Sequence, residues 1–282
     1  MRTPQIIVGV DGTASGWAAV VWAAREAAHR RALLRVVHVF DWEWMSSLYG
    51  RSGLYLEKAR RHAQAVSGEA RELAGAIAPE VEIEVDALIG KPVDRLLHTA
   101  AEASLVVLGH GERDGAASLL QSSLSQRVAT HVPCPVVVVR GRSDAADGPV
   151  VVGVDGFASA EQVLRTAFQA AFDRGAAVVA VRALLPSWSG TGLAAGRTSE
   201  RDAAELARVE RLLEPWRQKF TEVPVTVAIS HGNPAAVLLG ASHRAQLVVV
   251  GSRGRGAVAG ALLGSTGVQL LHHADCPVWI VH

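Results

Sequence analysis

The chain has 282 residues, enough for two ordinary domains, and its 49% apolar residues supply ample core. Its 28 lysines and arginines against 27 aspartates and glutamates give a formal net charge of +1, which points neither to nucleic acid nor to a basic partner. No apolar run reaches the roughly 18 residues of a membrane span, and the opening MRTPQIIVGVDG lacks the apolar region of a signal peptide. We therefore expect a cytoplasmic protein with no membrane partner.

Strand and helix patterns alternate along the first half of the chain. An apolar strand at 6–10 ends at Asp-Gly and leads into an Ala-rich helix at 15–31. The later elements are strands at 33–40, 81–89, 105–108 and 136–139, and helices at about 55–76, after Pro92 and at about 117–131. Because the strands are continuous Val, Ile and Leu runs, we expect both faces of the sheet to be covered. The pattern predicts a parallel, doubly wound α/β sheet of five strands.

The second half of the chain repeats the first. VVVGVDGFAS from Val150 repeats IIVGVDGTAS from Ile6, and HADCPVWIV from His273 repeats HVPCPVVVV from His131. The joint at 141–149, GRSDAADGP, is small, polar and bounded by Gly and Pro, as is typical of a linker. We therefore expect two tandem domains, at 1–143 and 148–282, each with a five-stranded parallel sheet and helices on both faces.

Two loops in each half follow strand ends, where doubly wound sheets bind their ligands. We term residues 10–12 and 154–156 the strand-one loops, and residues 110–116 and 252–264 the strand-four loops. If strands one and four are neighbours, the two loops of each half face each other across a crevice. The sequence alone leaves that adjacency open.

The strand-four loop of the second half has the pattern of an anion site. Its spacing is Gly251-x2-Gly254-x9-Gly264-Ser265, and glycines let backbone N–H groups approach a phosphate closely. Gly264 and Ser265 stand where a helix is predicted to begin, and a helix N-terminus favours phosphate. The segment contains no GxxxxGK[ST] motif, and GRGAVAG is one residue too long for a dinucleotide fingerprint. Further donors are the Thr266 hydroxyl and the guanidinium groups of Arg253 and Arg255.

Together with the first strand VVVGVDG and the last strand CPVWIV, this spacing resembles the universal stress protein family in its tandem two-domain form. The resemblance covers nearly the whole chain, twice. It implies the strand order 3-2-1-4-5 in each domain and ATP in the crevice between strands one and four. It also implies an internal pseudo-dimer of the two domains, with the final strands at 136–139 and 278–281 as the seam. Whether whole chains form a homodimer stays open.

By position, the resemblance assigns the nucleotide contacts of the second half. Asp155 would lie beside the adenosine and any bound Mg²⁺, and Ala183, just after the second strand of its half, would offer backbone contacts to adenine. The full set is Val154, Asp155, Gly156, Ala183, Val250, Gly251, Arg253, Gly254, Gly264, Ser265 and Thr266.

The first half keeps the adenosine end of this pattern and loses the phosphate end. Its weaker site comprises Val10, Asp11, Gly12, Val39, Gly109 and Ser123, with His38 beside them. An ungapped alignment puts Glu112 opposite Gly254 and Ser122 opposite Gly264, and Asp114 adds a further negative charge. Because a carboxylate near a polyphosphate is unfavourable unless a cation intervenes, we expect this site to be impaired or empty.

The resemblance suggests an ATP-binding protein with a regulatory role in the stress response. We find no Ser-His-Asp order, metal-ligand cluster or placed general base near the glycines, so enzymatic activity is not expected, although slow ATP hydrolysis stays open. The alternative is an enzyme on the same fold that hydrolyses ATP or adenylates a substrate. A third interpretation is an interaction protein that binds no ligand.

Two residue types at matching positions have structural explanations as well as chemical ones. Asp11 and Asp155 could act as acids, or they could support turns after the first strand, and the two roles are weighted equally. Cys134 and Cys276 form no CxxC pair and each precedes a proline that opens the final strand. We expect both cysteines to be small buried apolar residues rather than redox groups.

Overall fold

The protein divides into two compact units, Met1–Asp144 (unit 1) and Ala145–His282 (unit 2). The structure, a computed structural model, describes residues 3–41, 53–111, 116–145, 147–155, 160–185, 194–252 and 263–282. Among the helices of these ranges, none combines the length and the apolar character needed to span a lipid bilayer.

Unit 1 alternates strands and helices as predicted. Its strands are β1 (Gln5–Gly9), β2 (Leu33–Phe40), β3 (Ile83–Ile89), β4 (Leu105–Gly109) and β5 (Val136–Val139). Its helices are α1 (Ala14–Arg30), α2 (Gly53–Ile77), α3 (Pro92–Thr99) and α4 (Ala116–His131), with a 3₁₀ turn at Ala100–Glu102. The strand predicted from residue 81 begins at Ile83, because Val81 donates its N–H to Ala78 in a turn after α2.

Unit 2 repeats this order. Its strands are β6 (Val150–Gly153), β7 (Val178–Leu184), β8 (Val225–His231), β9 (Leu247–Gly251) and β10 (Val278–Val281). Its helices are α5 (Ala160–Asp173), α6 (Ala194–Lys219), α7 (Pro234–Ser242) and α8 (Ser265–His273).

Each unit has the strand order 3-2-1-4-5. In unit 1 the order is β3-β2-β1-β4-β5, and in unit 2 it is β8-β7-β6-β9-β10, with parallel pairing within each unit. Strand one pairs with strand four in both units, for example Val8 with Val107 and Val151 with Val248. The carboxyl ends of these two strands therefore lie side by side, which brings the strand-one and strand-four loops to one edge of each sheet.

Local signals in the sequence explain where several helices begin. Thr13 caps α1 by accepting the N–H of Gly16, and Asn233 caps α7 by accepting the N–H of Ala235. Pro92 and Pro234 open α3 and α7, at the position where a missing N–H costs nothing. Both prolines follow strand three of their unit, so these helices also begin at the carboxyl edge of the sheet.

The core of each unit lies between the central strands and the helices that cover them. Residues of β4 and β9 are buried along most of their length, as expected for strands with both faces covered. Alanines give α1 a buried face, and small side chains let the helix lie close to the sheet. The two cysteines, Cys134 and Cys276, are buried and form no disulfide, in agreement with the prediction that they are small apolar residues.

Candidate functional site

The strand-one loop of unit 1 is held by a local hydrogen-bond network. Oδ1 of Asp11 accepts from the N–H of Thr13 at 3.0 Å and from its hydroxyl at 2.6 Å. Thr13 in turn accepts the N–H of Gly16 at 3.2 Å. Gly12 has φ of +79°, which only glycine adopts readily. Of the two roles weighed for Asp11, the structure shows the turn-supporting one.

Gly109 at the end of β4 has a packing role that the phosphate pattern did not suggest. A Cβ added there would lie 2.4 Å from the carbonyl oxygen of Ser15 and 3.0 Å from the nitrogen of Gly16. Glycine at this position therefore lets the end of strand four meet the first turn of α1. Ser125 of α4 also donates its hydroxyl to the Gly109 carbonyl at 3.0 Å, which joins α4 to the same strand end.

A cavity of about 790 Å³ lies at the carboxyl edge of the unit 1 sheet. This volume is within the usual range for small-molecule sites. Its lining includes four of the six residues predicted for the weaker site, Val10, Asp11, Val39 and Gly109. The structure adds residues that sequence reasoning did not assign, including His62, Lys91, Asp94 and Leu96. For Lys91, Asp94 and Leu96 the sequence did contain a signal. Pro92 starts α3 directly after strand three, which places these residues at the same edge of the sheet.

The predicted adenine contact lies inside the second strand rather than after it. Ala183 is the penultimate residue of β7, and its counterpart Val39 is the penultimate residue of β2, so the placement of Ala183 just after the strand is corrected. The Val181 carbonyl accepts the N–H of Val154, on the β6 side of the strand. The Leu184 carbonyl accepts the N–H of Gly232, which follows β8 on the opposite side. Because hydrogen-bonding directions alternate along a strand, the N–H and C=O of Ala183 are directed to the β6 side, beyond the end of β6.

The same alternation holds in unit 1. Val37 accepts the N–H of Val10 at 3.0 Å, and Phe40 accepts the N–H of Gly90 at 3.0 Å on the opposite side. The backbone polar groups of Val39 are therefore directed beyond the end of β1, where Val39 lines the cavity. Each unit offers one donor and one acceptor at the position assigned to adenine.

The strand-four loop of unit 2 is closed at its base by backbone hydrogen bonds. Ser252 donates its N–H to Val281 at 2.7 Å, and Gly264 donates its N–H to the Ser252 carbonyl at 2.8 Å. Helix α8 then begins at Ser265, and no side chain caps it at Gly264. Among the described residues, no side chain accepts at this cap, so the first N–H groups of α8, including those of Ser265 and Thr266, can donate to another acceptor.

Several predicted residues lie outside the described part of the chain. These are Gly156, Arg253, Gly254 and Arg255 of unit 2 and the two acidic residues of unit 1, Glu112 and Asp114. Ser123 lies in α4, without a described side chain. Val154, Asp155 and Val250 are described at the ends of β6 and β9, and Val250 packs against Gly153.

His38 lines the unit 1 cavity, and its surroundings clearly change its pKa. Its Nδ1 lies 2.9 Å from the Val10 carbonyl, which can only accept, so Nδ1 carries the hydrogen. Burial lowers the pKa of His38 below its ordinary value and outweighs the raising effect of the hydrogen bond to Val10, while nearby His62 adds a smaller lowering effect and Asp11 a smaller raising one. His38 is therefore neutral at pH 7.

Among the described residues, no group of three or more His, Cys, Asp or Glu side chains could hold a metal ion. Asp155 alone offers a carboxylate at the strand-one loop of unit 2. A divalent cation at this site would need most of its ligands from another source, such as the oxygens of a bound phosphate chain.

Known proteins resemble this chain along nearly its whole length. A universal stress protein of Mycobacterium tuberculosis, Rv2005c, is 34% identical, covering 97% of this chain and 95% of its own. A universal stress protein of Mycolicibacterium smegmatis is 31% identical, covering 98% and 96%. The crystal structure of a universal stress protein from Archaeoglobus fulgidus superposes with a TM-score of 0.71 at 20% identity, covering 98% and 95%, and so shares the fold.

The family model described as "Universal stress protein family" matches the chain twice, at residues 3–140 and 148–282. The two matches correspond to the two copies found in the sequence and together span almost all of it. The chain therefore belongs to the universal stress protein family, with two family domains in tandem.

Proposed function

We propose that this universal stress protein is a regulatory protein that binds ATP in the crevice of unit 2. The observation that carries the proposal is the parallel pairing of β6 with β9, which brings the strand-one loop beside the strand-four loop and the N-terminus of α8. The glycine spacing that precedes α8 is the spacing expected for a backbone that receives phosphate.

The described residues fit the two ends of such a ligand. At the adenine end, the N–H and C=O of Ala183 are directed beyond β6. At the phosphate end, α8 begins without a side-chain cap, and Ser265 and Thr266 add hydroxyl groups. Arg253 would supply positive charge from the strand-four loop. The arrangement is complementary to a planar base joined to an anionic chain.

Magnesium fits this proposal as a companion of ATP rather than as a resident ion. Asp155 is the carboxylate we propose beside the metal, and the phosphate oxygens would supply further ligands. Bound Mg²⁺ would offset part of the phosphate charge. The role of Asp155 is then to hold the ion at the adenosine side of the crevice.

We propose that unit 1 binds ATP weakly or not at all. Its cavity and the backbone of Val39 remain, so a base could still enter. Its strand-four loop carries Glu112 and Asp114 in place of a net positive charge, which opposes a triphosphate. We therefore expect unit 2 to hold the nucleotide in a chain that has two crevices.

Isothermal titration of the full chain with ATP and Mg²⁺ tests the proposal. The expected result is saturable binding with a stoichiometry near one ATP per chain, and mass spectrometry of the purified protein should find co-purified adenine nucleotide. No binding by either method would refute the proposal. A turnover assay separates it from the enzymatic alternative, because product far above one equivalent per site would identify an enzyme.

We also propose that the two units pair through their final strands. β5 and β10 each stand at one end of the strand order of their own unit, and an uncovered apolar edge favours pairing. If so, a fragment of residues 1–143 should self-associate, and light scattering would report a dimer. A monomeric, folded fragment would contradict this pairing.

A further inference from the structure

One side chain in each unit hydrogen bonds to the same carbonyl of the strand-one loop. In unit 1, Nδ1 of His38 donates to the Val10 carbonyl at 2.9 Å. In unit 2, Nη1 of Arg182 donates to the Val154 carbonyl at 3.3 Å. His38 and Arg182 occupy the same position of the repeat, as do Val10 and Val154. The contact is therefore duplicated, with different chemistry in the two units.

The side chain that supports this contact also differs between the units. Nε of Arg182 donates to Oε2 of Glu205 on α6 at 2.9 Å. In unit 1 the side chain of α2 that lies beside His38 is His62, whose ring centroid is 6.3 Å from that of His38 in an edge-on arrangement. The Arg182 side chain is only 4% exposed and that of Glu205 only 20%. Unit 2 thus has a largely buried ion pair where unit 1 has two histidines.

The ion pair fixes the chain at the point where the strand-one loop of unit 2 begins. Val154 donates its N–H to Val181 at 2.9 Å and accepts from Arg182, so both of its backbone polar groups are held. The direction in which the chain enters Asp155 follows from these two bonds. A guanidinium suits this task, because its planar fork can bind a carboxylate and a carbonyl at once.

We propose that Arg182 and Glu205 are positioning residues that hold Val154 and Asp155, where the strand-one loop of unit 2 begins, in the conformation that receives the nucleotide. They act through the Val154 carbonyl and do not contact the ligand. Glu205 orients the guanidinium of Arg182, and Arg182 places the loop. The ligand in this inference rests on the proposed function, whereas the loop contact rests on the geometry alone.

Other charged groups lie near this pair and must be separated from it in a test. Asp155 follows Val154 in the loop, and Nη1 of Arg208 on α6 lies 3.9 Å from Glu205. Arg208 and Arg211 line the same cavity of about 350 Å³ as Arg182 and Glu205. Arg208 is 53% exposed, so its removal changes the local charge by the same amount with little effect on the buried contact. It is the matched control.

The first measurement needs no nucleotide. Hydrogen–deuterium exchange of the full chain should show the amides of Val154 and Asp155 exchanging about tenfold faster in Arg182→Ala than in the wild type, because local opening becomes easier. Arg182→Lys should fall between the two, and Arg208→Ala should match the wild type. Unchanged exchange in Arg182→Ala, or equal acceleration in Arg208→Ala, would overturn the inference.

The second measurement is ATP affinity in the presence of Mg²⁺. Arg182→Ala should weaken binding about tenfold or more, with partial rescue in Arg182→Lys and no loss in Arg208→Ala. A melting curve shows whether each variant is folded, and Glu205→Gln serves as the milder second variant if Arg182→Ala is not. A loosened loop without ATP binding by the wild type would refute the proposed function only. Wild-type affinity in a folded Arg182→Ala would refute the positioning role only.

A double substitution that introduces two histidines, the residue types found beside the Val10 carbonyl in unit 1, allows the pH dependence of ATP affinity to be used as a test. Arg182→His with Glu205→His replaces the ion pair by two side chains that both become cationic in acid and then repel each other. ATP affinity of this variant should fall more steeply than that of the wild type between about pH 8 and about pH 6. Parallel pH profiles would count against the proposal, since a merely structural role would not change the profile.

Discussion

The backbone N–H of Gly264 donates a hydrogen bond to the carbonyl oxygen of Ser252 at 2.8 Å. This bond joins the two ends of the strand-four loop of unit 2 directly before α8 begins. Ser252, which follows β9, and Gly264, which precedes α8, are therefore held together at the carboxyl edge of the sheet. A ligand bound by the loop would therefore also meet the N-terminus of α8.

Gly254→Glu should abolish most ATP binding by the full chain. The substitution copies the first copy's residue, Glu112, and adds both a Cβ and a negative charge on the proposed phosphate side. Losing two charge-assisted hydrogen bonds would weaken affinity by about two to four orders of magnitude. Titration calorimetry measures this directly. Ser122→Gly in unit 1 is the control and should leave affinity and stoichiometry nearly unchanged. Two equivalent sites, or full affinity in Gly254→Glu, would show that the wrong unit was chosen.

Gly109→Ala should destabilise unit 1 by about 1–3 kcal/mol, because the new methyl group would overlap the first turn of α1. The clash is with backbone atoms of Ser15 and Gly16, which cannot rotate away. Urea unfolding should show a lower midpoint for the transition of unit 1. Gly68→Ala is the matched control: this exposed helical glycine has nothing within 4 Å of an added Cβ, and the change should stabilise α2 by about 0.5–1 kcal/mol. Equal midpoints for both variants would contradict the packing role.

The stability of the protein should decrease in mild acid partly through His38. Because burial lowers the pKa of His38 in the folded state, the unfolded chain binds a proton between pH 6.5 and the folded pKa that the folded chain does not. This contribution to stability is fully present above pH 6.5 and is lost as the pH falls toward the folded pKa. His38→Gln keeps a donor for the Val10 carbonyl and removes the titration.

The measurement is the urea midpoint at about pH 7.5 and about pH 5.5. The wild type should lose more stability than His38→Gln over this interval. His131→Gln is the control, since His131 is exposed and its Nδ1 also contacts a backbone carbonyl, that of Arg127. An equal loss in the wild type and His38→Gln would mean that His38 does not contribute.

Cys134 should react slowly with thiol reagents in the native protein. Burial raises the pKa of its thiol to about 11, so the reactive thiolate is scarce at neutral pH. Cys276 is fully buried. Ellman's reagent should therefore detect almost no fast thiol in the folded chain and two after denaturation. A rapid reaction of one thiol in the native protein would show that a cysteine is accessible and would reopen a redox role.

Periodicity and repetition along the chain were sufficient to predict the elements and the duplication. The alternation of apolar strands with helical patterns predicted ten strands in two sets, and β2 and β5 have the predicted bounds. These features depend on neighbouring residues, so they can be read in chain order. Pro92 likewise marked the start of α3 because its effect on the backbone is local. The glycine spacing before Ser265 predicted the family for the same reason, and the nucleotide ligand stays a prediction.

Tertiary structure alone decided which distant residues meet. Gly109 must be glycine because the first turn of α1 packs directly against it. The residues next to Gly109 in the sequence give no indication of this contact. In the sequence, Arg182 and Glu205 are simply a charged residue on a strand and one on a helix. Only the fold brings their side chains to 2.9 Å from each other. His38 and His62 of unit 1 lie beside each other for the same reason. Such contacts join residues more than twenty positions apart, and their partners are determined by the packing of helix on sheet, which a one-dimensional pattern does not contain.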